Sequence, residues 1–543
     1  MPRISLLVRH QPRVFTGACR HLLLWVDNAT PDILAAAESS VGLPDRDAAL
    51  RLLLATLDLA YGIVFIDRRC EYISLTSGPK KSFSFFYATT KDGLIVRDEF
   101  QEQLPDETFE HLDLDGFADF VARSIVTGPF ELSCHSETMD RRWKTVPPGH
   151  RVALTSAGAV VSSGKVDIGL GDVHRHPLSS KSSADELVDA VDRHLIKLAA
   201  CGNIASEFSG GIDSTIVRAR CLAKIPEQYK GGVTCGFPYP EFKRESEMRD
   251  HVLKHAPGTI TCIDHRRYLP FAALSEVPPH AEPNLASTAW GAFSSTAIAA
   301  RQLGASVLLS GHGGDALFRW HPNQLIKYLL PADLSYWFKG SLQKNIEERA
   351  AAIMADLNAE SSTGFGAGLW HPGMFDPANP QKLLLAGVPG IRYVSGVVSR
   401  DILRAGARLW LSTPVLKTHH DKSLAHVAFA EDVPIALWAR PGKVDHLGIV
   451  YRGAIAARKE LLLLARRNSE ITRLLGLSPD SFLNFSEQAT RGIDSGNLLF
   501  SVILAVILWA DRPHRRSNAE VELQRFLYDS ENDKLEVRVD VRS

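Results

Sequence analysis

Six consecutive residues, Ser209-Gly210-Gly211-Ile212-Asp213-Ser214, hold the clearest chemistry in the chain. They follow a strand-like segment, 204–208, and lead into TIVRARCLAK, which reads as a helix. Two adjacent glycines let the backbone turn tightly and come close to an anion. Ser209, Ser214 and the first N–H groups of the helix are donors suited to phosphate oxygens. The stretch is therefore expected to cradle a pyrophosphate group. It has no lysine at the place where a GxxxxGK[ST] loop sets one against the β and γ phosphates. Its chemistry is better matched to cleavage between the α and β phosphates.

A second glycine loop, Ser310-Gly311-His312-Gly313-Gly314-Asp315, ends another strand-like run about a hundred residues downstream. In open α/β sheets ligands bind beyond the carboxyl ends of the strands, so the two loops are expected to converge. Ser310, Gly311, Gly313 and Gly314 then join Ser209, Gly210, Gly211, Asp213 and Ser214 as candidate nucleotide-binding positions. Asp213 and Asp315 become candidate catalytic carboxylates and Mg²⁺ ligands. Magnesium typically takes one or two carboxylates and completes its shell with phosphate oxygens and water.

Positioning two such loops requires a parallel sheet. Strand-like VTCGF (233–237), helix-like ESEMRDHVLKHA (245–256), strand-like TITCID (259–264), a helix within 286–303 and strand-like SVLLSG (306–311) form a βαβ series. Upstream, Ser183 and Glu186 make a capping-box signature before Leu187, Val188, Val191, Leu195 and Leu198 at helical spacing. Residues 1–166 have another rhythm: short β-rich segments such as YGIVFID (61–67) and HRVALTSAGAVVSSG (150–164), separated by turns, read as an antiparallel sandwich. Between them, 167–183 has linker composition. The expected domains are thus 1–166 and 184–530, with a charged tail at 531–543.

At 543 residues the chain exceeds one hydrophobic core, and 45% hydrophobic with 23% charged residues fits a globular protein. A formal net charge of −1 gives no global drive toward nucleic acid or anionic membrane. The longest apolar run, LLFSVILAVILWA (498–510), is short of the ~20 residues a spanning helix needs, so a buried helix is expected. Seven scattered cysteines without zinc-site spacing read as buried free thiols in a reducing, cytoplasmic setting.

The SGGIDS and SGHGGD loops, in this order and spacing, resemble the synthetase domain of the asparagine synthetase superfamily of ATP pyrophosphatases. SGPKKSFSFFYATTKDGLIV and VPPGHRVAL resemble stretches of that family's glutaminase-type domain. The resemblance implies an α/β synthetase domain behind a degenerate α+β sandwich, with ATP and Mg²⁺ as cofactors. It also implies an acyl-adenylate route to an amide, releasing AMP and pyrophosphate.

Glutamine-hydrolysing members need a cysteine after the initiator methionine, its thiol being the nucleophile and its amine the base. Pro2 stands there, and Cys19 is internal. No glutaminase activity is expected, and the nitrogen nucleophile should come from the substrate. A GHGGD loop with a lost cysteine resembles the lasso peptide cyclases, which close a macrolactam between an Asp or Glu side chain and the N-terminal amine of a core peptide. The implied partners are a precursor peptide and the leader peptidase or leader-recognition protein of its pathway. A β-lactam synthetase-like or asparagine synthetase-like small-molecule enzyme is the alternative; a noncatalytic ATP-binding scaffold is a second.

The region 411–437 resembles the family's "PfLD" stretch, with Lys417 in place of the acid. The family's adenylate-facing lysine has no counterpart at its usual place. Lys443, Lys459, Arg466 and Arg467 are candidate substitutes, with Lys443 and Arg466 preferred, and His312 has either a base or a structural role.

Overall fold

The structure, a computed structural model, describes residues 3–8, 11–26, 29–67, 72–79, 83–91, 93–98, 112–127, 138–166, 179–278, 280, 282–318, 334, 338, 340–361, 378–413, 422–438, 447–475, 483–484, 487–488, 498–511, 521–529 and 534–542. The chain divides into two compact units. The first comprises 1–120, 132–168 and 516–543; the second comprises 121–131 and 169–515.

The first unit contains two six-stranded sheets. One runs Val160–Lys165, His150–Thr155, Tyr72–Ser77, Tyr61–Asp67, Arg20–Val26, Arg13–Thr16, and every pairing in it is antiparallel. The other is mixed, because Arg3–Val8 pairs parallel with Gly93–Arg97 while also pairing antiparallel with Val521–Asp529. Purely antiparallel pairing therefore holds for one sheet only. Both sheets feed one hydrophobic cluster, in which Ile4, Leu6, Leu94 and Val96 meet Leu23, Trp25, Val64 and Leu75. Alternation along each strand sends these side chains to the same side. The opposite face of the antiparallel sheet is covered by the helices Pro31–Gly42 and Arg46–Thr56.

The carboxyl terminus departs from the expected division. Val521–Asp529 and Lys534–Arg542 form a hairpin added to Arg3–Val8, so this segment is neither part of the α/β region nor a tail. The alternating KLEVRVDVR has the period of a strand, and a partner edge completes its hydrogen bonds.

The second unit is built on a five-stranded parallel sheet ordered Ile260–Ile263, Tyr229–Cys235, Ile204–Glu207, Val307–Ser310, Arg392–Ser395. The fifth strand was not anticipated: RYVS is too short to show periodicity and lies in a mostly helical region. One face of the sheet packs Ala205, Val233, Leu308 and Tyr393 against Trp290, Ala297 and Ala300 of the helix Trp290–Gln302 and Leu383 and Leu384 of Ala378–Gly387. Helix Ser180–Ala199 starts earlier than expected, because Ser179 is its cap, its hydroxyl accepting from the Ser182 N–H. Ser183 is consequently buried inside the helix, and Glu186 pairs with Arg408 rather than closing a capping box. The part of the proposed linker at 167–178 lies outside the described residues.

The helix Leu498–Ala510 is buried along nearly all of its described surface. Among the described residues no helix is long and apolar enough to cross a membrane. The described cysteines are free, but Cys201 and Cys262 are exposed, so burial holds for only part of the set.

Candidate functional site

Sheet order fixes where the two glycine loops meet. Ile204–Glu207 lies between Tyr229–Cys235, whose chain returns on one side, and Val307–Ser310, whose chain returns on the other. Between Ile204–Glu207 and Val307–Ser310 the winding reverses, opening the crevice beyond the carboxyl ends in which such sheets bind ligands. The first loop leaves one of these strands and the second leaves its neighbour.

Gly210 has φ +79° and Gly313 φ +90°, conformations costly for any residue with a side chain. Gly211 caps the helix Ile212–Lys224, in the extended conformation and without a side-chain cap bond. That leaves the first N–H groups of the helix open toward an anion. Ser209 Oγ lies 3.1 Å from Ser214 Oγ and accepts from the Gly211 N–H at 3.2 Å, which holds both hydroxyls at the turn. The second loop presses on the first: a Cβ on Gly314 would stand 2.4 Å from Asp213 Cγ, and one on Gly311 3.0 Å from Asp213 Cβ. Glycine at these two positions is a requirement of contact between the loops.

The two aspartates share one cation. Lys422 Nζ contacts Asp213 Oδ2 and lies 2.9 Å from Asp315 Oδ1. The Lys422 side chain is 8% exposed. Burial opposes its charge, but the two carboxylates outweigh this and raise its pKa above the ordinary lysine value. Asp213 Oδ1 is buried with no hydrogen-bond partner among the described residues. A divalent cation and its phosphate ligands suit this pair: two carboxylates converge within reach of one positive charge, and one oxygen is unused. Beyond these two, the described residues offer no cluster of three or more potential metal ligands.

Lys422 was not among the basic residues singled out. It lies in the 411–437 stretch, at the start of the helix Ser423–Phe429, and spacing alone did not separate it from Lys417. Lys417 and Lys443 lie outside the described residues, as does Pro2. Arg466 is exposed on the helix Arg458–Arg467, as is Lys459, and neither reaches Asp213 or Asp315 among the described residues. Arg467 instead contacts the buried Asp511.

Behind the second loop lies a chain of polar groups. The Tyr393 hydroxyl donates to Glu207 Oε2 at 2.9 Å and lies 3.0 Å from His312 Nδ1. Ser395 Oγ donates to the His312 carbonyl at 2.6 Å. Burial pushes the Glu207 carboxyl up to about 7, a shift that the Tyr393 hydrogen bond opposes. Tyr393 itself is buried, and its pKa is raised well above the usual phenol value by burial and by the neighbouring Glu207.

The first loop is also backed by Arg249. A Cβ on Gly210 would stand 2.4 Å from Arg249 Cγ, while the Arg249 guanidinium donates to Thr234 Oγ1 at 3.3 Å, to Ser246 Oγ at 2.9 Å and to the Cys235 carbonyl. The helix that carries the loop is fastened by Arg220, which binds Asp192 through two nitrogens, at 2.8 and 2.5 Å, and reaches Asp432 at 3.3 Å.

Residues 183–362 match the family model described as asparagine synthase, a segment that contains both glycine loops. No curated protein matches the chain at a significant level. The matched segment supports placing the α/β unit in the asparagine synthetase superfamily, with ATP-dependent amide formation as the activity that this family suggests.

Proposed function

We propose that this chain is an ATP-dependent macrolactam synthetase of the lasso peptide type. It would adenylate an Asp or Glu side chain of a core peptide and close the ring with the peptide's N-terminal amine. The observation that carries the ATP chemistry is the contact of Lys422 with both Asp213 and Asp315 at the switch point of the parallel sheet. The peptide assignment is supported by the GHGGD loop and by proline in place of the nucleophilic cysteine.

In this reading Ser209, Ser214 and the N–H groups opening Ile212–Lys224 hold the β and γ phosphates, with Gly210 and Gly211 allowing their close approach. Asp213 and Asp315 would hold Mg²⁺, which supplies charge neutralisation on the triphosphate. Lys422, in contact with Asp213 and Asp315, would be the fixed positive charge of the site and would offset the negative charge that builds up on the triphosphate during adenylation. Residues 1–166 serve as a structural or partner-binding unit without glutaminase activity.

The experiment supplies purified protein with ATP, Mg²⁺ and the precursor peptide after leader removal. Pyrophosphate release together with loss of water from the peptide supports the proposal. Turnover of a small amino-acid substrate without any peptide would favour a β-lactam synthetase-like enzyme. Nucleotide binding without pyrophosphate release under any substrate would indicate a noncatalytic scaffold.

A further inference from the structure

The guanidinium of Arg249 stands at the carboxyl end of the parallel sheet, one strand away from the first glycine loop. Val233 is level with Glu207 where Tyr229–Cys235 pairs with Ile204–Glu207, so Thr234 and Cys235 run beside the residues that lead into Ser209 and Gly210. Arg249 donates from Nη1 to Thr234 Oγ1 at 3.3 Å and to the Cys235 carbonyl, and from Nη2 to Ser246 Oγ at 2.9 Å. A Cβ on Gly210 would meet Arg249 Cα and N at 3.3 Å, so the helix Lys243–His255 that carries this arginine is packed directly on the loop.

Arg249 has no counter-charge. Other arginines of this unit are matched by carboxylates: Arg220 by Asp192 and Asp432, Arg408 by Glu186, and Arg467 by Asp511. Among the described residues, every hydrogen bond of the half-buried Arg249 goes to a neutral oxygen. A guanidinium has five N–H groups, and these bonds leave Nε–H and one N–H of Nη2 over. Nε and Nη2 form one edge of the planar group, a fork that suits two oxygens of a phosphate. The sheet order puts this fork on the Tyr229–Cys235 side of the first loop, whereas the second loop, with Asp315 and Lys422, lies on the Val307–Ser310 side.

We propose that Arg249 is a further phosphate-binding residue, which grips the pyrophosphate part of ATP from the flank of the first loop away from Asp315. This rests on the adenylating reading above, in which Ser209, Ser214 and the start of Ile212–Lys224 hold the β and γ phosphates. The anion gives the guanidinium the counter-charge that the chain withholds, and the bonds to Thr234, Cys235 and Ser246 fix the fork before ATP arrives. Arg249 thus holds the leaving group and makes no contact with the AMP half.

Arg249→Met keeps an unbranched stem against Gly210 and removes the guanidinium. Titration calorimetry with inorganic pyrophosphate and, separately, with AMP, both with Mg²⁺ and without peptide, reads the two halves of the nucleotide apart. The variant is expected to bind pyrophosphate about tenfold or more weakly, the scale of a lost charge-assisted hydrogen bond, while its AMP affinity matches wild type. Unchanged pyrophosphate affinity overturns the proposal. Equal losses for pyrophosphate and AMP would mean that Arg249 only shapes the loop, and overturn it too. If Arg249→Met does not fold, phenylglyoxal labelling of the wild-type chain, located by peptide mass mapping, is the test. Protection of Arg249 by pyrophosphate with Mg²⁺ but not by AMP supports the proposal, and equal labelling with and without pyrophosphate overturns it. A wild-type chain that binds neither ATP nor pyrophosphate would remove the adenylating reading as well, whereas tight wild-type binding untouched by Arg249→Met removes the arginine alone.

Discussion

Lys422 sets the electrostatics of the crevice. Two carboxylates a few ångström apart repel, and in a water-poor site an ammonium between them offsets that repulsion far more than it would at the surface. Lys422→Met is therefore expected to lower pyrophosphate release on the order of 10²-fold, the scale of losing one preorganised charge at a transition state. It should also destabilise the fold by about 3 kcal/mol by leaving Asp213 without its counter-charge. Pyrophosphate assays and urea denaturation measure the two effects, and near-wild-type values in both would remove Lys422 from the site. Glu207 gives a second prediction, with the opposite dependence on charge. Its carboxyl is raised from 4.5 to about 7 in the folded chain, so folding favours the protonated form. The associated stability is present below the unfolded value and is lost as pH rises through about 7. Glu207→Gln removes that loss. Relative to wild type it should gain about 2 kcal/mol in stability between about pH 5 and pH 8, read from denaturation midpoints at each pH.

At the scale of elements, the crevice depends on two turns fitting into each other. Gly314→Ala places a methyl group 2.4 Å from Asp213 Cγ, and Asp213 belongs to the first turn of a helix that cannot retreat easily. That helix is tied by Arg220 to Asp192 on the helix Ser180–Ala199 and to Asp432. The variant is expected to keep its far-ultraviolet circular dichroism while ATP affinity falls about tenfold or more, since the loop rather than the sheet absorbs the clash. Equilibrium binding of a fluorescent ATP analogue checks this, and unchanged affinity would mean the loops have room that the structure does not show. Arg220→Ala would act differently. It leaves Asp192, whose side chain is 8% exposed, without its main partner, and should lower stability by about 2 to 3 kcal/mol without touching the glycine loops.

Across the whole molecule, the two ends of the chain belong to one unit. The hairpin formed by Val521–Asp529 and Lys534–Arg542 supplies two of the six strands in the sheet that begins with Arg3–Val8. Truncation after residue 515 would expose the Arg3–Val8 edge and uncover backbone groups that the hairpin satisfies. Limited proteolysis of the truncated chain is expected to cut first within 1–166 while the segment holding the glycine loops persists. Simultaneous loss of both would show that the units do not unfold separately.

Much of the chemistry was legible in the residues before any fold was known. A strand, two glycines and a helix start form a local pattern, because positive φ and open helix N–H groups are decided within a few residues. For the same reason the βαβ alternation up to Ser310 could be read from periodicity, and the apolar run 498–510 could be read as a buried helix. The sequence by itself thus determined the two loops, the kind of sheet carrying them and the pair Asp213 and Asp315. Tertiary structure alone decided their company. Lys422 is 209 residues from Asp213, Tyr393 is 186 from Glu207, and Arg3–Val8 finds its partner at the other end of the chain. No local pattern marks such residues, since a lysine on a helix start and a tyrosine in a four-residue strand are ordinary until the chain folds. Contacts across the sheet, not spacing along the chain, bring their charges and protons into one crevice.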